Sequence, residues 1–83
     1  MQINFQILHK NGWQSWIFEE KVYFTFGSVT LHCNPVERTW KLEGLDETFT
    51  LWADLLRYYK ALTGKEFVPG HAIPESQAYL KRA

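Results

Sequence analysis

A chain of 83 residues is the size of one domain, which leaves no room for a second core. With 46% hydrophobic and 17% aromatic residues it lies far from compositions that stay unfolded, and nine Lys and Arg against nine Asp and Glu exclude a strong overall field towards nucleic acid, anionic membrane or acidic substrate. One cysteine, Cys33, excludes an internal disulfide framework, and neither a signal peptide nor an apolar run of membrane-spanning length is evident, so a soluble cytoplasmic protein is expected.

At the start of the chain, Ile3, Phe5 and Ile7 alternate with Gln2, Asn4 and Gln6, the period of a strand with one buried face. Asn11-Gly12 then carries a hairpin signal, because both residues accept the positive φ of a type I′ turn. Pairing about that turn sets Ile7 opposite Trp16 and Phe5 opposite Phe18, with the apolar residues on one face. For Glu19-Glu20-Lys21, a two-residue turn would oppose the apolar faces of the flanking strands. A three-residue loop is therefore expected, pairing Phe18 with Val22 and Trp16 with Phe24, although no Gly fills the left-handed position such loops favour.

Gly27-Ser28 has the residue types of a type II′ turn and predicts Phe26 opposite Val29, Phe24 opposite Leu31 and Val22 opposite Cys33. Asn34-Pro35-Val36-Glu37 reads as a type I turn that returns Trp40 to Leu31 and Leu42 to Val29. After a cap at Asp46 or Thr48, Phe49, Trp52, Leu56 and Tyr59, with Leu55 and Leu62 beside them, follow helical spacing. Gly64 stands at the expected C-cap. Pro69-Gly70 predicts a loop around His71, and Pro74 the first turn of a short helix. The expectation is a single α+β domain over residues 1–83: a five-stranded antiparallel β-meander, one amphipathic helix packed on one face, and a short C-terminal helix.

The same register assigns an outer face. Trp13, Ile17 and Tyr23 point away from the core, with Thr25, Thr30, His32, Thr39 and Lys41 around them and Lys10 at the edge. An apolar patch on an otherwise polar sheet face predicts docking of a protein partner, with Trp13, Ile17 and Tyr23 at its centre and Lys10, His32 and Lys41 at its rim. The function expected is a small non-enzymatic binding module: an adaptor, an inhibitor or a homodimer. The plainer reading of that face is core, covered by the C-terminal segment through Ile73, Tyr79 and Leu80.

The second expectation is single-stranded nucleic-acid binding on the same aromatic residues. Lys10, Lys21 and Lys41, with Glu19 and Glu43 nearby, make a poor phosphate track. His9, His32, His71 and Cys33 fall on different elements without the paired spacings of zinc sites, and Cys33 and His32 should face opposite sides of one strand. Glu19-Glu20 fits a solvated turn and Asp46-Glu47 a helix start, while the glycines are scattered rather than gathered in a phosphate loop. No catalytic residue, metal, cofactor, small-molecule substrate or membrane contact is expected.

Overall fold

The computed structural model describes residues 1–70 of the chain. Within them run α1 (Phe5–Lys10), β1 (Gln14–Phe18), β2 (Lys21–Phe26), β3 (Val29–Asn34), β4 (Thr39–Leu42), β5 (Thr48–Phe49) and α2 (Trp52–Thr63). The strands form one antiparallel sheet in the order β1-β2-β3-β4-β5, a meander followed by a helix, so the α+β class read from the sequence holds. The membership of the sheet differs at both ends. The expected first strand is α1, and Thr48–Phe49, expected at the start of the long helix, is the fifth strand. The loop at His71 and the short helix at Pro74 lie outside the described residues.

Capping explains why α1 prevails over the alternation of Ile3, Phe5 and Ile7. Asn4 is extended, with φ −146° and ψ 170°, and its Oδ1 accepts the Ile7 N–H at 2.8 Å, satisfying one of the orphan donors of the first turn. Ile3 before the cap and Leu8 in the first full turn are both buried, at the two positions of a hydrophobic staple. The helix then ends in a Schellman motif. Gly12, at φ 96°, donates to the His9 carbonyl at 3.1 Å, and Trp13 donates to the Leu8 carbonyl at 2.9 Å. Asn11-Gly12 is thus a helix stop rather than a hairpin turn. The glycine is required twice over, because a Cβ there would lie 2.8 Å from the Gly70 Cα.

The first hairpin corrects the expected register. Glu19 and Glu20 both adopt positive φ, 53° and 66°, so the turn has two residues of type I′ although neither is Gly or Asn. Phe18 pairs with Lys21, Ile17 with Val22, Trp16 with Tyr23 and Ser15 with Phe24. This is one residue out of step with the three-residue loop, and an odd slip exchanges the faces of a whole strand. Trp13 and Ser15 turn inward while Trp16 and Phe18 turn outward. Left-handed backbone at two glutamates costs on the order of 1 kcal/mol each. Complete burial of Trp13 offsets it, since a large apolar side chain gains about 2 to 3 kcal/mol on leaving water.

The remaining turns agree more closely. Gly27 alone takes positive φ in the β2–β3 turn, as type II′ requires, and Phe26 meets Val29 and Phe24 meets Leu31 as expected. The β3–β4 loop is two residues longer than expected. Asn34 Oδ1 accepts the N–H groups of Val36 and Glu37, and Arg38, at φ 58°, donates to the Asn34 carbonyl. Leu42 therefore pairs with Leu31 and Trp40 with Cys33. The displacement is even, so Trp40 and Leu42 keep the inner face.

Neither Asp46 nor Thr48 caps α2; its N-cap is Leu51, without a side-chain bond. Gly64 closes the helix as expected, with φ 76° and its N–H on the Lys60 carbonyl at 2.7 Å. Leu55 is fully buried in the core cluster, Tyr58 stacks on Phe49 at 5.2 Å, and Tyr59 meets Trp13 and Phe26 edge-on. Beyond the helix, Phe67 stacks on Trp13 at 6.0 Å and touches Phe26 at 4.8 Å. On the same inner face, Phe5 of α1 meets Phe24 and Trp40 edge-on. Both helices thus send rings into the same face of the sheet.

Candidate interaction face

The outer face follows from the pairing alone. Trp16 is opposite Tyr23, Tyr23 opposite His32, His32 opposite Lys41 and Lys41 opposite Thr48, so one row of outward side chains crosses all five strands. Its first half is aromatic. Trp16 stacks on Tyr23 with ring centroids 4.6 Å apart and planes 23° from parallel, and Tyr23 meets His32 edge-on at 4.9 Å. Phe18, next outward on β1, lies 6.4 Å from Trp16 and is 54% exposed. Contacts of this kind contribute about 0.5 to 1.5 kcal/mol each beyond area burial, which holds the rings in one orientation.

The second half is polar. His32 Nε2 is 3.4 Å from Glu43 Oε2, and Lys41 Nζ is 3.9 Å from Asp46 Oδ1. Glu43, Lys41 and Asp46 are exposed and His32 is half-buried, so the pairs contribute at most about 1 kcal/mol and serve mainly to place polar groups. With Lys21, Thr39 and Thr48 they edge a shallow concavity beside Tyr23 and His32. The face therefore grades from aromatic at β1 to charged, of mixed sign, at β4 and β5.

The residues singled out from the sequence separate accordingly. Tyr23, His32 and Lys41 come together in the row. Trp13 does not: it is 0% exposed, on the opposite face, enclosed by Phe26, Tyr59 and Phe67, and its placement in the outer patch is corrected to core. Ile17, 44% exposed, stands opposite Val22 on the face of Ser15 and Phe24, at the end of β1. Lys10 closes α1, where its charge favours the helix C-terminus, and is not on the sheet. Trp16 and Phe18, assigned to the core from the sequence, are the aromatic residues that the outer face presents. The two-residue reading of the Glu19-Glu20 turn would have found them.

Other chemistry-bearing groups lie elsewhere. His9 and Ser15 are both buried, with Nε2 and Oγ 3.3 Å apart, and they tie α1 to β1 beneath Phe24. Cys33 is half-buried opposite Trp40, and burial pushes its thiol above the usual range, away from the reactive thiolate. Among the described residues no three His, Cys, Asp or Glu side chains are grouped to hold a metal, and no helix is long and apolar enough to cross a membrane. Compared with known proteins, the chain matches no family model, no curated protein and no solved structure.

Proposed function

We propose that this domain is a non-enzymatic, cytoplasmic protein-binding module whose docking surface is the outer face of the sheet. One observation carries the reading: Trp16, Tyr23 and His32 form a contiguous row of rings on the face opposite the core, with Phe18 exposed beside it. Large rings on a rigid sheet lose little conformational freedom on binding and supply much contact area, which is why Trp and Tyr recur at the centres of protein interfaces. Lys21 and Lys41 with Glu43 and Asp46 form a rim of mixed sign. Such a rim suits a protein. A nucleic acid needs an uninterrupted cationic track beside its stacking platform, and here the carboxylates of Glu43 and Asp46 lie against His32 and Lys41.

The test compares wild type with a Phe18→Ser, Tyr23→Ser double variant whose circular dichroism matches it. Solution mass by light scattering and quantitative capture from an extract of the native host are measured for both, together with titration by a thymidine oligonucleotide. The expected result is a self-association or a capture present in wild type and lost in the variant, with no oligonucleotide binding. An association that survives the double substitution overturns the reading. Oligonucleotide binding that weakens steeply with salt replaces it with the nucleic-acid one.

A further inference from the structure

We infer that the partner surface is cationic around an apolar socket, and that it is engaged by the tip of the β1–β2 hairpin, Ile17-Phe18-Glu19-Glu20. This rests on the protein-binding reading above and adds the chemistry of the partner. Ile17 and Phe18 are 44% and 54% exposed and project from opposite faces of β1, the terminal strand of the sheet. Two adjacent apolar side chains on opposite faces make a wedge. A flat surface covers only one of them, whereas a socket encloses both.

Charge decides what lines that socket. Glu19 and Glu20 follow immediately, both exposed at the tip. Among the described residues the acids within 4.0 Å of a basic side-chain nitrogen are Glu43, Asp46, Asp54 and Glu66; Glu19 and Glu20 are not among them. Lys21, opposite Phe18, offsets one of the two charges, and a purely apolar pocket closing over Phe18 would strip water from the remaining negative charge without a counter-charge, a cost that exceeds what the phenyl ring gains. Lys or Arg at the mouth of the pocket removes that cost, speeds the encounter and favours this partner over acidic ones. Nucleic acid would bring its phosphates against the same two carboxylates.

Random peptides displayed on phage and selected against the wild-type protein provide the test. Synthetic copies of the selected peptides are then titrated into wild type, Phe18→Ser, Tyr23→Ser and a Glu19→Lys, Glu20→Lys double variant. The expected peptides join aromatic or aliphatic residues to Lys and Arg. Their affinity should fall about tenfold or more in both Phe18→Ser and the charge-reversed variant, and weaken with salt. Should charge reversal disturb the turn, Glu19→Gln with Glu20→Gln removes the charges at constant size. Selected peptides without basic residues, or equally tight on the charge-altered variants, overturn the inference. If those peptides still lose affinity in Tyr23→Ser, the docking face stands and only the partner's chemistry is wrong. If neither Phe18→Ser nor Tyr23→Ser weakens any peptide, or none is selected, both readings fall.

Discussion

Phe18 and Lys21 are direct cross-strand partners, separated only by Glu19 and Glu20 at positive φ. That single pairing decides which aromatic residues of β1 face away from the core. Moved by one residue, it would return Trp16 and Phe18 to the core and expel Trp13.

Replacing Glu19-Glu20 by Asn-Gly should therefore stabilise the protein, because Asn and Gly enter the left-handed region at little cost. The expected gain is about 1 to 2 kcal/mol, a rise in melting temperature of roughly 4 to 8 °C per kcal/mol for a domain of this size. Thermal denaturation followed by circular dichroism reads it. A loss of stability would mean that the loop is not a type I′ turn.

Trp13→Ala should be far more damaging than Tyr23→Ala. Trp13 is fully enclosed by Phe26, Tyr59 and Phe67, and emptying such a site costs about 3 to 5 kcal/mol. Tyr23 is half-buried on the outer face, and its removal should cost about 1 kcal/mol with the sheet retained. Urea midpoints of the two variants compare them directly, and equal losses would contradict the register.

Gly12→Ala should destabilise by more than about 1 kcal/mol. The substitution forces a β-carbon into left-handed backbone at φ 96° and to within 2.8 Å of the Gly70 Cα. Asn4→Ala, which removes only the N-cap bond to Ile7, should cost about 1 kcal/mol. If Gly12→Ala proves the milder of the two in chemical denaturation, the Schellman stop is wrong.

Cys33 should react slowly with iodoacetamide near neutral pH in the folded protein and quickly once unfolded. Burial raises its thiol, so the protonated form is held in the native state. A folded pKa above the unfolded one stabilises the native state fully below the unfolded thiol pKa, and that contribution is lost as pH rises through the folded value. Stability from this group should accordingly decline on the alkaline side, above about pH 8.5 to 9, and be level below it. A Cys33→Ala variant should lack that decline.

Much of the sheet was legible because its signals are local. Gly27-Ser28 brings Phe26 to Val29 and Phe24 to Leu31 through turn chemistry confined to adjacent residues. Gly64 ends α2 for the same reason. At Asn11-Gly12 local chemistry is ambiguous, because an αL glycine serves a hairpin and a helix stop equally. The discriminating signals were present: Asn4 as a cap, with Ile3 and Leu8 at staple spacing, competes with an alternation of only three apolar residues.

By itself the sequence determined the α+β class, the antiparallel run of strands from Trp16 to Leu42 ahead of the long helix, the inward set Phe24, Leu31, Trp40 and Leu42, and the outward trio Tyr23, His32 and Lys41. Only the tertiary structure decided that Trp13 belongs inside and Trp16 and Phe18 outside. The reason is parity. Side chains alternate along a strand, so its facing depends on the count of residues in one turn. In the β1–β2 turn, local preference argued against two left-handed glutamates, and the burial of Trp13 against Phe26, Tyr59 and Phe67, all distant in sequence, outweighed it.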